Sequence, residues 1–149
     1  MLKLEVALAG VTLLGFDTAP LIYFVEANSQ YDALVTEVVR RIVAGNLNGI
    51  TSVITLLEVL VVPLRSNNIV LQQEYRDLLL NSNHFHCQDI TIIIAEVAVD
   101  LRARYNLRTP DALQIAAALQ SGCQAFITND TGLKRVIELR VLTLNELEL

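Results

Sequence analysis

Four acidic side chains lie within or directly beside apolar segments of this sequence. Asp17 follows VTLLGF, Glu58 lies in TLLEVLVV, Asp111 lies in TPDALQIAAAL and Asp130 comes two residues after QAFIT. Carboxylates that are buried or half-buried among apolar residues are costly unless a cation compensates their charge. An all-oxygen set of ligands, without His or Cys, suits Mg²⁺ or Mn²⁺. The four acids are therefore candidate metal ligands and candidate catalytic residues.

Each of these acids also has an ordinary structural explanation. Asp17 is typical of a turn or a helix cap, and the spacing of Thr55 and Glu58 is that of a capping box. Asp111 lies in a first helical turn, where the helix dipole favours it, and Asp130 belongs to the turn sequence NDTG. These explanations account for each acid alone, but not for the apolar neighbours of Glu58 and Asp111 at helical spacing.

Short apolar runs alternate with helical patterns along the whole chain. The predicted strands are VTLLGF, residues 50–53, HFHCQ, QAFIT and VLTL, and the predicted helices include LIYFV and residues 31–43, 55–64, 69–80, 91–105, 111–122 and 133–139. Such alternation indicates a central parallel sheet flanked by helices. We predict one α/β/α domain over residues 1–149, in which residues 1–10 form a leader or an extra strand. Asp89 and Thr109 are the predicted caps of two of the helices.

The predicted sheet brings the four acids to one edge. In parallel α/β sheets, ligands bind beyond the carboxyl ends of the strands, where the following helices begin. Asp17 and Asp130 follow strands directly, and Glu58 and Asp111 lie in the first turns of helices that we expect to start at that edge. The sequence therefore predicts that the four carboxylates meet in one site.

The overall composition bounds the classes of protein that fit. A net charge of −5 argues against nucleic-acid binding through a broad basic surface, although metal ions can bridge an acidic site to an anionic substrate. Cys87 and Cys123 lack the spacing of a zinc site, so we expect two reduced, buried thiols and a cytoplasmic protein. The run VALAGVTLLGF is too short to span a bilayer, and we expect no association with a membrane.

Four segments, taken in order, resemble the PIN-domain family and most closely its VapC-type toxins. They are FDTAPLIYF, ITSVITLLEVL, LRTPDALQIAAAL and FITNDTGLKRV, and the resemblance extends from about Val11 to Leu144. It implies an α/β/α fold around a parallel sheet, with an acidic metal site used to cleave RNA. One departure is that sixteen residues precede Asp17, more than family members commonly have before their first acid.

The resemblance assigns roles to individual residues. Asp17, Glu58, Asp111 and Asp130 match the acids that hold one or two Mg²⁺ or Mn²⁺ ions and catalyse endonucleolytic hydrolysis of RNA. The residues expected to support this site are Thr18, Thr128 and Asn129. The candidates for contacts with RNA phosphates are Arg102, Arg104, Arg108, Lys134 and Arg135.

The resemblance also implies partners. A VapC-type toxin has a VapB-like antitoxin that covers its acidic site, and it forms a homodimer. Apolar residues on the first helices are candidates either for the partner surface or for the core, and we expect most of them in the core: Leu21, Tyr23, Phe24 and Tyr31.

Two other functions fit parts of the pattern. One is a PIN-like protein-interaction module without catalytic activity, against which the presence of all four acids counts. The other is a phosphoacceptor domain of the receiver type, which usually needs two adjacent acids after its first strand. Asp17 has no acidic neighbour, which disfavours the receiver type.

Overall fold

The computed structural model describes all 149 residues, and its regular elements alternate between strands and helices. The elements in chain order are β1 (Leu2–Lys3), α1 (Leu4–Ala7), β2 (Leu13–Phe16), α2 (Thr18–Val25), α3 (Asp32–Val43), β3 (Asn48–Ser52), α4 (Val53–Arg65), α5 (Ile69–Asn81), β4 (Phe85–Gln88), α6 (Ile92–Tyr105), α7 (Thr109–Gln120), β5 (Ala125–Thr128), a 3-10 helix (Thr131–Arg135), β6 (Arg140–Thr143), a second 3-10 helix (Leu144–Glu146) and β7 (Leu147–Glu148).

Five strands form one parallel sheet in the order β4-β3-β2-β5-β6. Helices cover both faces, because the apolar strands must be buried on each side. One core cluster includes Leu21, Val38 and Tyr75 from α2, α3 and α5. The other includes Leu101 and Ile115 from α6 and α7. The predicted α/β/α architecture is confirmed.

Residues 1–10, for which the sequence predicted a leader or an extra strand, contain a short strand and a helical turn. The strand of the main sheet begins only at Leu13, and Gly10 turns the chain before it with a positive φ of 76°. Residues Leu4–Ala7 form a helical turn that buries Leu4 and Ala7. Residues Leu2–Lys3 form a short parallel pairing with Leu147–Glu148.

Three predicted helix starts are corrected by the structure. The cap of α6 is Thr91 rather than Asp89, because the helix begins only at Ile92 and the Thr91 hydroxyl accepts from the Ile94 N–H. The cap of α7 is Arg108 rather than Thr109. Helix α4 begins at Val53, so its cap is Ser52 and the expected capping box of Thr55 with Glu58 does not form.

Helices α6 and α7 lie together on one face of the sheet and run in opposite directions. The start of α6 and the end of α7 share one groove at the amino edge of the sheet, since Ile93 and Gln120 line it together with Leu13 and Asn48, the first residues of β2 and β3. Helix α7 therefore begins at the carboxyl edge of the sheet. Gly15 allows α7 to pack closely on β2, since a Cβ there would lie 2.8 Å from the Ala118 Cβ.

Two further expectations concern the thiols and the helices. Both cysteines are free, and Cys123 is buried while Cys87 is half-buried. Burial raises the pKa of the Cys123 thiol to about 12, which keeps it protonated and unreactive at neutral pH. None of the helices combines the length and the apolar character needed to cross a membrane.

Candidate functional site

A cavity of about 320 Å³ lies at the carboxyl edge of the sheet, and all four predicted acids line it. Its lining consists of Asp17, Thr18, Ala19, Ile22, Glu58, Arg108, Asp111, Asn129 and Asp130. A larger groove of about 730 Å³, between β4 and the α6–α7 pair, has no Asp or Glu in its lining. We place the candidate site in the smaller cavity, because four carboxylates converge there.

Asp17 is held at the end of β2, where it caps α2. One carboxylate oxygen accepts a hydrogen bond from the Thr18 N–H at 2.9 Å, and the other accepts from the Thr128 hydroxyl at 2.7 Å. Burial raises the pKa of Asp17 despite these two hydrogen bonds, and the charges of Asp111 and Asp130 raise it further. The two hydrogen bonds thus fix the position of the Asp17 carboxylate, while burial and the neighbouring acids destabilise its ionised form.

Asp111 is buried in the first turn of α7 and is paired with Arg108. The Arg108 Nε donates to Asp111 Oδ2 at 3.0 Å, and its Nη2 donates to Oδ1 at 3.4 Å. The Arg108 side chain is 78% exposed, whereas that of Asp111 is 13% exposed. The hydrogen bond to Asp111 raises the pKa of Arg108, as do the charges of Asp130 and Glu58. One exposed arginine therefore faces several of the acids.

Asp130 follows β5 in a turn that Thr128 supports. The Asp130 N–H donates to the Thr128 hydroxyl at 3.0 Å, and Asp130 Oδ1 accepts from the Gly132 N–H at 2.9 Å. Thr128 thereby links Asp130 to Asp17. Asn129 lines the cavity and donates from Nδ2 to the Tyr23 hydroxyl at 2.8 Å. Asp130 therefore forms a hydrogen bond typical of the turn sequence NDTG and also lines the cavity.

Glu58 lies in the second turn of α4, at the exposed rim of the cavity. Its flanking residues Leu57 and Val62 are 65% and 67% exposed, so the expectation of a buried apolar face around Glu58 was wrong. This face of α4 points outward, because the helix packs on the sheet through Thr55 and Val59. Partial burial nevertheless raises the pKa of Glu58, and the charges of Asp17 and Asp111 raise it further.

A buried polar cluster lies beneath the cavity, and the sequence predicted only one of its members, Thr18, as a residue supporting the site. It consists of Thr18, Thr51, Ser52, Thr55 and Gln114, and we call it the Thr–Gln cluster. One signal was available: Gln114 is three residues after Asp111, and Thr55 is three residues before Glu58. That spacing places each pair on one side of its helix.

Four of the five basic residues predicted to contact phosphate do not line the cavity: Arg102, Arg104, Lys134 and Arg135. Arg104 and Lys134 form salt bridges with acids on the surface. Arg102 and Arg135 donate to backbone carbonyls. Arg108 is the only cation in the cavity lining.

The donor types in the cavity fit Mg²⁺ or Mn²⁺, which prefer carboxylate oxygens. In the present side-chain conformations, however, no three Asp, Glu, His or Cys residues are grouped closely enough to hold one ion. Arg108 is paired with Asp111, and Glu58 and Asp130 are exposed at the rim.

The fold and the cavity define an α/β/α domain with carboxylates gathered at the carboxyl edge of a parallel sheet. The sequence profile of the PIN domain matches residues 16–139. The chain therefore belongs to the PIN domain family, and the resemblance drawn from its four segments is confirmed. No curated protein matches the chain.

Solved structures with this fold include complexes of toxins with antitoxins. A chain from a toxin–antitoxin complex of Klebsiella pneumoniae is 27% identical with a TM-score of 0.67, and the match covers 89% of this chain and 97% of that one. VapBC2 from Rickettsia felis, bound to a DNA fragment from their promoter, gives 18% identity, a TM-score of 0.70 and coverages of 88% and 98%. DNA-bound VapBC from Salmonella typhimurium gives 17% identity and a TM-score of 0.61, and the match covers 97% of this chain and 99% of that one. The last two likenesses show the fold alone.

Proposed function

We propose that this protein is a metal-dependent endoribonuclease that hydrolyses phosphodiester bonds of RNA, with Mg²⁺ or Mn²⁺ as its cofactor. The observation that carries the proposal is the gathering of four carboxylates around one cavity that contains a single arginine. Such an excess of negative charge repels an RNA backbone unless cations lie between them. A divalent cation both compensates the acids and binds phosphate oxygens.

Asp17, Glu58, Asp111 and Asp130 are the residues that would hold the metal. When bound, the metal lowers the pKa of a water molecule for attack on phosphorus and stabilises the charge on the leaving oxygen. No side chain of the cavity needs to act as a nucleophile. Thr128 fixes the positions of Asp17 and Asp130 relative to each other through its two hydrogen bonds.

Arg108 is the best-placed residue for contact with the RNA backbone. Its side chain lies at the rim and is mostly exposed. Guanidinium groups bind phosphate in the same forked geometry in which they bind carboxylate. Beside the acids that would hold the metal, the Arg108 guanidinium would bind a phosphate of the RNA backbone and hold it at the rim of the cavity.

We further propose that the protein is the toxin of a VapBC-type pair, acting in the cytoplasm as a homodimer. Support comes from the toxin–antitoxin complex of Klebsiella pneumoniae, which is similar over 97% of its own chain. The partner is then a VapB-like antitoxin, and a basic side chain from it is suited to the acidic cavity. Light scattering of the purified protein, alone and with that antitoxin, measures both assemblies.

A second function is favoured by one observation. Arg108 already neutralises Asp111, and the acids do not form a preformed metal-binding group. This arrangement suits a PIN-like protein-interaction module in which the arginine replaces the metal. The two functions differ in whether the folded protein binds a divalent cation.

The test is cleavage of a mixed pool of structured RNA by purified, antitoxin-free protein in Mg²⁺ or Mn²⁺. The controls are EDTA, the Asp111→Asn variant and the Asp100→Asn variant. Asp100 is an exposed acid that pairs with Arg104 outside the cavity, so it matches the charge change without touching the site. We expect discrete fragments that disappear with EDTA and with Asp111→Asn but persist with Asp100→Asn.

Intact RNA together with no calorimetric binding of Mn²⁺ overturns the nuclease and supports the interaction module. Intact RNA together with bound Mn²⁺ supports the metal site and directs the search to other RNA pools. Cleavage that survives both EDTA and Asp111→Asn contradicts the assignment of the cavity.

A further inference from the structure

The Thr–Gln cluster places five polar side chains where a core would ordinarily be apolar. Every member is at most 6% exposed, and Ser52 and Thr55 are fully buried. Burial of polar groups is costly unless each is hydrogen-bonded. No buried side-chain donor or acceptor in the protein lacks a partner, so this cluster is satisfied by its own contacts.

Gln114 is the residue through which these contacts pass. Its Nε2 donates to the Thr55 hydroxyl at 2.7 Å and to the Thr18 hydroxyl at 3.1 Å, and its Oε1 accepts from the Ser52 hydroxyl at 2.6 Å. One side chain of α7 thereby joins α2, α4 and the end of β3. An amide is needed for this, because only Asn and Gln combine two donors with an acceptor at one terminus.

Each helix that Gln114 joins also carries one of the acids. Thr18 directly follows Asp17, Thr55 lies one turn before Glu58, and Gln114 itself lies one turn after Asp111. The relative positions of these three helix starts determine how far apart the three carboxylates lie. Apolar packing alone fixes such distances less strictly, since apolar contacts are not directional.

We propose that Gln114 is a positioning residue: its amide locks the starts of α2, α4 and α7 together and thereby sets the spacing of Asp17, Glu58 and Asp111. The inference rests on the proposed function for its consequence, because the spacing matters for binding of the metal. Gln114 itself does not line the cavity.

The test compares Gln114→Met with a matched control, Gln72→Met. Gln72 is equally well buried and its Nε2 donates to the Pro63 carbonyl at 3.1 Å, within the α4–α5 pair and away from the cavity. Both changes replace a buried amide by an apolar side chain of similar length, so both lower stability. Only the first removes the link between the acid-bearing helices.

We expect Gln114→Met to weaken Mn²⁺ binding, measured by calorimetry, by about tenfold or more, as is typical for loss of a partner that orients metal ligands. The kcat for RNA cleavage should fall by a similar factor, with KM changed less than about twofold. Gln72→Met should leave all three quantities within about twofold of the original protein. If Gln114→Met does not fold, Thr55→Val removes a single hydroxyl of the cluster and serves in its place.

Equal Mn²⁺ affinity and equal kcat in the two Gln→Met variants overturn the positioning role. If the original protein itself binds no Mn²⁺, the proposed function fails, and amide hydrogen exchange decides the role of Gln114 separately. Faster exchange in the first turns of α2, α4 and α7 in Gln114→Met than in Gln72→Met supports the positioning role, and equal exchange overturns it.

Discussion

The pKa values of acidic side chains on the outer face of α3 and in the cavity are shifted in opposite directions. Glu37 accepts hydrogen bonds from Arg40 at 2.7 Å and from Arg41 at 3.0 Å, and these bonds lower its pKa to about 2. In the cavity, burial and neighbouring acids raise the pKa values of Asp17 and Glu58. The surface acid Glu37 is stabilised as an anion, whereas the cavity acids Asp17 and Glu58 are not.

Ionised Glu37 therefore stabilises the folded state, whereas the ionised forms of Asp17 and Glu58 destabilise it. Three other acids on the surface, Asp100, Glu138 and Glu146, likewise each form a salt bridge. The cavity has one arginine for four carboxylates. Unfavourable charge of this kind at a cleft is typical of functional sites, where a ligand completes the electrostatics.

The largest effect that we expect is stabilisation of the folded protein by a divalent cation bound to the cavity acids. At a Mn²⁺ concentration about 100 times its dissociation constant, the free energy of unfolding should rise by about 2.7 kcal/mol. Urea unfolding at fixed pH measures this increase. The double variant Asp17→Asn/Glu58→Gln should lose most of it, while Glu37→Gln should keep it. An equal increase in all three proteins would show that Mn²⁺ binds elsewhere.

The next effect is the stability of the metal-free protein after Asp17→Asn. Because the pKa of Asp17 is raised in the folded state, its ionised form disfavours folding at neutral pH. Asn removes that penalty, and we expect the free energy of unfolding at pH 7 to rise by about 1 kcal/mol.

The pH dependence of Asp17→Asn checks its cause. The gain should vanish below the ordinary pKa of 3.8, where Asp17 is protonated in both the folded and the unfolded chain. It should reach its full size only above the raised pKa of the folded state. Urea unfolding at pH 7 and at pH 3 measures both limits, and a gain that is unchanged at pH 3 contradicts the electrostatic explanation.

The smallest effect has the opposite sign. Glu37→Gln should lower the melting temperature at pH 7 by less than Asp17→Asn raises it, because the ion pair is exposed to solvent. Since the folded-state pKa is lowered, the contribution of Glu37 is present above its ordinary pKa of 4.5 and is lost as the pH falls through about 2. Melting curves in 1 M NaCl should show a smaller difference than curves at low salt. A larger difference at high salt would contradict the interpretation.

The sequence alone predicted the fold and the edge of the sheet at which the acids meet. Apolar runs such as VTLLGF and QAFIT identify buried strands, and a parallel sheet gathers whatever follows their carboxyl ends. Asp17 and Asp130 could therefore be placed together from their distances to strand ends. That argument needs only local patterns and a general rule of topology.

The contacts around the acids could not be predicted in the same way. The local sequence indicates that Thr55 and Glu58 form a capping box. Instead, the Thr55 hydroxyl accepts a hydrogen bond from Gln114, which lies on a helix much later in the chain. The pairing of Arg108 with Asp111 depends on which way an exposed side chain turns. Both depend on the packing of distant elements, which helical spacing does not specify.

The hydrogen bond between Thr128 and Asp17 joins residues 111 positions apart, across neighbouring central strands. Such distant pairing gives a high contact order and slow folding. Ribosomes add roughly 5–20 residues per second, so on the order of ten seconds separates the synthesis of the two strands. Asp17 and Glu58 are therefore synthesised long before β5 can complete their cavity, so the acidic site assembles only when nearly the whole chain has been made.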